Sequence, residues 1–122
     1  MLSTRRPPQS TSEIVSSSAE VVLVLTTIGA DTDATALART LVEEGLAACV
    51  NIGAPMTSVY RWKSAIETAR EQPLVIKTTG DRLVALETRL RALHPYELPE
   101  FLVLSASGGS TAYLDWIRDP VG

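Results

Sequence analysis

The residues best suited to chemistry in this sequence lie in one short stretch, residues 93–100. It contains His94, the only histidine of the chain, together with two prolines, a tyrosine and two carboxylates. Proline fixes its own φ angle and disfavours helical backbone at the preceding residue. We therefore expect an extended, well-defined connector that carries a titratable imidazole, as functional loops often do. The alternative is that the prolines only end a helix and align the next strand.

Divalent-metal binding is the first chemistry that these residue types suggest. One ring nitrogen of His94 could bind a metal while Glu97 or Glu100 holds the other nitrogen. Cys49, the only cysteine, is a second candidate ligand, although a free cysteine in an apolar strand often only packs. A metal site needs three or four ligands. One chain cannot easily supply them, whereas an oligomer could combine His94 with Glu97 or Cys49 of a neighbouring subunit.

A second set of residues suggests a pocket for a small anionic molecule. Lys77 follows an apolar run, and lysine is seldom buried without a partner. Its ammonium group would suit an anionic ligand if it lies in a cleft near Glu97 or Glu100, and otherwise it extends to solvent. Tyr60 and Trp62 share one face of a predicted strand, where they serve either as a ligand cage or as interface packing.

Hydrophobic periodicity predicts the elements that must position these residues. The predicted strands cover residues 21–26, 46–63 with a bend at 53–55, 66–71 running outward before 74–79 returns, and a last buried strand at 101–104. The predicted helices cover residues 34–42, 83–93 and 112–117. Asp31 or Asp33 caps the first, Gly80 and Asp81 cap the second, and Tyr113 and Trp116 pin the third to the rest of the domain. The order βαββαβ implies a ferredoxin-like α/β (α+β) sandwich, with an antiparallel sheet, both main helices on one face, a long hairpin between the second and third strands, and a short C-terminal helix. The other face of this apolar sheet needs a cover, and an oligomer interface would provide one.

Composition limits the class of protein further. The 122 residues carry a net charge of −3 without a basic stripe, which argues against nucleic-acid and membrane-surface partners. Residues 1–20 are rich in Ser, Thr and Pro and are predicted to be a disordered tail, which leaves one domain over residues 21–122. A single cysteine cannot form an internal disulfide and favours a cytoplasmic setting. No catalytic triad or phosphate-loop motif is present, so we expect no enzyme.

Five motifs in the chain resemble the CutA family of divalent-cation tolerance proteins. They are residues 44–51 (EGLAACVN), 57–62 (TSVYRW), 76–78 (IKT), 94–100 (HPYELPE) and 113–116 (YLDW). The resemblance implies a ferredoxin-like subunit in a compact homotrimer similar to PII-type signalling proteins, whose hairpin reaches neighbouring subunits. It also implies binding of a divalent metal, chiefly copper. The shared residues it maps onto clefts between subunits are Cys49, Tyr60, Trp62, Lys77, His94, Tyr96, Glu97 and Trp116.

The chain departs from the family at two positions of a proposed copper triad. Some members have a cysteine and a second histidine where this chain has Leu25 and Leu93, which leaves His94 alone. The leading prediction is a trimeric protein that binds copper and supports metal tolerance, with His94, Cys49 and Glu97 as ligands. The first alternative is a PII-like sensor that binds a small anionic metabolite between subunits through Lys77, Tyr60, Trp62 and Glu97. Tyr96, Glu100 and Trp116 are further predicted cleft residues. The second alternative is a non-catalytic scaffold for another protein.

Overall fold

The structure is a computed structural model that describes residues 20–119. Its elements are β1 (Val21–Gly29), α1 (Ala34–Glu43), β2 (Cys49–Ile52), β3 (Met56–Trp62), β4 (Ala65–Thr79), a 3-10 turn (Gly80–Arg82), α2 (Leu83–Leu93), β5 (Leu102–Ser105) and α3 (Thr111–Arg118). The predicted ferredoxin-like order and terminal helix are confirmed. The tail predicted for residues 1–20 falls outside the described residues, except for Glu20.

The sheet is antiparallel throughout, in the order β2-β4-β1-β5, with β3 also paired to β4. β4 is one strand of 15 residues, about 50 Å long at roughly 3.3 Å per residue. The prediction of two separate segments, 66–71 and 74–79, is therefore wrong. Pro73 is tolerated inside β4 because the hydrogen bond that its missing N–H would make is not needed there. Its carbonyl accepts from the Gly53 N–H at 2.8 Å, so its nitrogen faces the same side of β4. On that side the partner strand is interrupted between β2 and β3.

The hydrophobic core lies between the sheet and helices α1 and α2. Alternate residues of β1 and β4, such as Val24 and Ile76, face Leu41 of α1 and Leu86 of α2, and these side chains are fully or almost fully buried. Asp33 is the cap of α1, because its side chain accepts from the Ala36 N–H at 3.0 Å. A 3-10 turn at Gly80–Arg82 precedes α2, so the predicted cap at Gly80 and Asp81 is replaced by a short turn.

Helix α3 covers one end of the second face of the sheet. Strand alternation places Val21 and Thr79 on this face, and both are buried where α3 packs against β1 and β4. Ile117 anchors α3 at 2% exposure, whereas Tyr113 and Trp116 are 44% and 46% exposed. Ile117 is therefore the buried anchor of α3. The predicted role of the two aromatic residues is confirmed in part, because the Tyr113 hydroxyl accepts a hydrogen bond from Lys77 of β4.

The last strand, β5, is exposed along its whole length in the isolated chain. The predicted buried strand at residues 101–104 is therefore wrong as to burial, although Phe101 does pack against the core. Within residues 20–119, β5 pairs only with β1, so it is an edge strand of the described sheet, and apolar composition alone did not reveal this.

The long hairpin predicted from the sequence is confirmed as β3 and the first half of β4. Its turn consists of Lys63 and Ser64, with φ angles of 50° and 70°, the left-handed pair that a two-residue hairpin turn requires. Val59 and Ile66 are largely exposed near this end. Among residues 20–119, no helix is long and apolar enough to cross a bilayer.

Candidate functional site

A cleft of about 650 Å³ opens between the long hairpin and the connector that follows α2. We call it the acidic cleft. It is lined by Thr27, Met56, Ser58, Tyr60, Trp62, Glu71, Tyr96, Glu97, Leu98, Pro99 and Glu100. Strand alternation explains the hairpin side, because every second residue of β3 from Met56 to Trp62 points to the same face. The two prolines of the connector keep its backbone extended along the opposite side.

Glu71 is the most enclosed charged group of the acidic cleft, at 8% exposure. The Thr27 hydroxyl donates a hydrogen bond to its Oε2 at 3.3 Å. The Tyr96 hydroxyl also bonds to Glu71, and burial, this hydrogen bond and the carboxylate charge raise the pKa of Tyr96 to about 12. In the described part of the chain, no lysine, arginine or histidine forms an ion pair with Glu71.

His94 holds the connector in place and does not line the acidic cleft. Its Nε2 lies 2.6 Å from the Thr27 carbonyl oxygen. Because a carbonyl oxygen only accepts, Nε2 carries the proton. Nδ1 then accepts from the Tyr96 N–H at 3.1 Å, and the two rings pack with centroids 4.7 Å apart. Both ring nitrogens are therefore engaged in a neutral imidazole, and neither is free for a metal in this arrangement.

Lys77 and Cys49 belong to a different group on the sheet. They are directly paired across β4 and β2. The Lys77 ammonium donates to the Tyr113 hydroxyl at 3.1 Å, lies 5.4 Å from the centre of that ring, and has its pKa raised chiefly by this hydrogen bond. Trp116 stacks on Tyr113 at 5.6 Å. Lys77 is thus satisfied by α3 and lies outside the acidic cleft.

The structure divides the predicted site residues into two groups. The acidic cleft brings together Tyr60, Trp62, Tyr96, Glu97 and Glu100, whereas Cys49, Lys77, His94 and Trp116 are not among its lining residues. Within residues 20–119, no three His, Cys, Asp or Glu side chains form a group that could hold a metal ion. The ligand roles of His94, Cys49 and Glu97 therefore stay predictions.

Sequence reasoning missed Glu71 and Thr27, which form the enclosed end of the acidic cleft. The sequence did contain a signal for Glu71. If residues 65–79 are treated as one continuous strand, alternation puts Glu71 on the same face as Lys77, and Glu71 pairs with Met56 of β3. The break predicted near Pro73 hid this relation. The contact of Thr27 with Glu71 depends on pairing between β1 and β4, 44 residues apart in the chain.

These observations define the class of protein first: a ferredoxin-like α+β subunit with an acidic and aromatic cleft at the base of a long hairpin. Residues 22–120 match the family described as CutA1 divalent ion tolerance protein, and the chain belongs to that family.

Individual relatives support the same assignment. The divalent-cation tolerance protein CutA of Thermus thermophilus is 44% identical over 103 residues, covering 84% of this chain and 98% of that protein. The human protein CutA is 43% identical over 82 residues, and the match spans 67% of this chain but 46% of the human protein. A structure of CutA from Synechococcus elongatus, complexed with Bis-Tris, is 46% identical, with a TM-score of 0.75 over 83% of this chain and 93% of that one.

Proposed function

We propose that the protein is a non-catalytic homotrimer that binds divalent cations, copper(II) among them, in the acidic cleft and thereby contributes to metal tolerance. One observation carries this proposal. The cleft presents three carboxylates, Glu71, Glu97 and Glu100, and its lining within residues 20–119 includes no lysine, arginine or histidine. Such a surface attracts cations and repels anions.

The donor chemistry of the cleft suits a weakly held, exchangeable cation. Carboxylate and hydroxyl oxygens are hard ligands, and a divalent ion held by one or two carboxylates keeps several of its waters. Among divalent first-row ions, copper(II) binds most tightly to a given set of oxygen and nitrogen ligands. Water or a residue of a neighbouring subunit would complete the coordination, since one chain lacks a three-ligand cluster within residues 20–119.

The positions of His94 and Cys49 favour the carboxylates, Glu97 among them, over these two residues as metal ligands. The two ring nitrogens of His94 bond to Thr27 and Tyr96. Cys49 lies across from the Lys77 ammonium group, which opposes the approach of another cation. Metal binding by either residue would require a rearrangement in the assembled protein.

The exposed surfaces support a trimer. Within residues 20–119, β5 has a free edge and exposes Leu102 and Leu104, and the outer hairpin exposes Val59 and Ile66. Exposed apolar edge strands are normally covered, because they otherwise promote aggregation. A neighbouring subunit on these surfaces would satisfy them. A cytoplasmic location is also part of the proposal and rests on composition alone.

Native mass spectrometry tests both parts of this proposal. We expect an ion at three times the 13.1 kDa chain mass, which gains copper(II) at a fixed ratio of one or three ions. The double variant Glu97→Gln/Glu100→Gln should lose this gain, while Glu43→Gln, an exposed carboxylate on α1, should keep it. A monomer at micromolar concentration would refute the trimer. Copper uptake without saturation, or unchanged in the double variant, would refute the site.

A small-molecule sensor is the second candidate, and two observations favour it. The cleft volume lies in the range of small-molecule sites, and the Synechococcus relative was solved with Bis-Tris. The anionic ligand expected from the sequence is not favoured, because Lys77 bonds to Tyr113 outside the cleft. Thermal shifts with a panel of charged metabolites would test this candidate, and it fails if no compound raises the melting temperature.

A further inference from the structure

The acidic cleft is larger than a metal ion requires. Its volume is about 650 Å³, whereas an ion with six waters fills roughly 200 Å³ at about 30 Å³ per water. Volumes of this size are typical of pockets that enclose most of a small organic molecule. Most of the space is therefore available to an organic ligand larger than a hydrated ion.

The charge of the cleft specifies the sign of that ligand. Glu71 is nearly buried and accepts hydrogen bonds from two neutral hydroxyl groups, those of Thr27 and Tyr96. A positively charged N–H donor makes a stronger hydrogen bond to a carboxylate than a neutral hydroxyl does. Glu97 and Glu100 lie on the connector at the other side of the opening, and neither forms an ion pair within residues 20–119. A ligand with two or more separated positive charges would match this arrangement.

The apolar and aromatic walls of the cleft indicate which uncharged part the ligand has between its charges. Tyr60 and Trp62 line the hairpin side, and Met56, Leu98 and Pro99 add apolar surface. Aromatic faces attract ammonium groups, and the Lys63 ammonium already lies 5.6 Å from the Trp62 ring centre. Methylene groups pack well on such walls, whereas a hydrated metal ion gains little from them.

We propose that the acidic cleft binds an aliphatic polyamine. One primary ammonium group donates to Glu71 at the enclosed end, a second lies near Glu97 and Glu100, and the methylene chain packs on Tyr60 and Trp62. Primary ammonium groups suit this site because their three N–H donors can bond to carboxylate oxygens. This inference rests on the proposed function of the cleft as a cation site and extends it from metal ions to organic cations.

Isothermal titration calorimetry of the full chain with spermidine tests the inference. We expect saturable binding of one molecule per subunit, weakened tenfold or more in Glu71→Gln and about five- to tenfold in Trp62→Leu. Glu43→Gln is the matched control and should bind as the unmodified protein does. Each variant is first checked for unchanged circular dichroism and oligomeric mass. If a variant fails this check, diacetylated spermidine, which lacks the terminal charges, should bind the unmodified protein at least tenfold more weakly.

The outcomes separate this inference from the proposed metal function. Trp62→Leu should weaken spermidine while changing magnesium and copper(II) affinity less than twofold, since a metal does not need the indole. Spermidine binding that is unsaturable, or that is equal in all variants, would overturn the inference. Binding of divalent cations without any binding of spermidine would also overturn the inference and leave the metal function standing. Spermidine binding without any metal binding would support the inference and refute the metal function.

Discussion

Replacing His94 by alanine is expected to destabilise the protein because the imidazole joins two parts of the chain. The ring donates to the Thr27 carbonyl at 2.6 Å and accepts from the Tyr96 N–H at 3.1 Å. Alanine leaves both partly buried backbone groups without these partners, and each lost partner costs about 1–3 kcal/mol. His94 is 7% exposed, so part of the lost ring volume also remains as a cavity. We expect a loss of about 3 kcal/mol in the free energy of unfolding.

Two conservative variants resolve this loss into its parts. Asparagine can place an oxygen near the position of Nδ1 and keep the bond from the Tyr96 N–H. Glutamine can place an amide nitrogen near Nε2 and keep the bond to Thr27. Each should recover about 1 kcal/mol relative to alanine, as expected for one restored hydrogen bond.

Urea unfolding followed by circular dichroism measures these differences, at one protein concentration because association contributes to stability. A nitrogen-15 spectrum of the ring should show the Nε2–H tautomer and should not change when zinc is added. An alanine variant within 0.5 kcal/mol of the unmodified protein would refute the positioning role. Loss of the Nε2–H signal on addition of zinc would instead support the metal-ligand role predicted from the sequence.

Two further predictions concern the hairpin turn and the phenol at the enclosed end of the cleft. Changing Lys63-Ser64 to Asn-Gly should raise the unfolding free energy by about 1 kcal/mol, because both positions have positive φ; an unchanged urea midpoint would contradict this. The raised pKa of Tyr96, about 12 against an ordinary 10, means that the folded state holds this proton more tightly than the unfolded chain. Its contribution to stability is complete below pH 10 and is lost as pH rises towards 12. Tyr96→Phe should therefore lose less stability than the unmodified protein between pH 10 and 12, and an equal slope in urea titrations across that window would contradict the assignment.

Local pattern was enough to predict most of the elements. The stripe at Leu83, Leu86 and Leu90 predicted α2, and Pro95 predicted its end, because helical periodicity and proline stereochemistry act over a few residues. Strand alternation alone puts Tyr60 and Trp62 on one face. The family resemblance implied that Tyr96 and Glu97 share a cleft with them, and all four line the acidic cleft; the cleft between subunits stays a prediction.

Tertiary structure decided what each of these residues does. Pairing of β1 with β4 brought Thr27 to Glu71, and the return of the connector brought Tyr96 to the same carboxylate. The docking of α3 took Lys77 away from the cleft, and the edge position of β5 left an apolar strand exposed. These outcomes depend on contacts between residues distant in the chain, whereas residue type and periodicity report only the local preference of the backbone for helix, strand or turn. The sequence by itself therefore determined the elements and the family. The packing of those elements determined that His94 bonds to Thr27 and Tyr96 and that the carboxylates line the cleft.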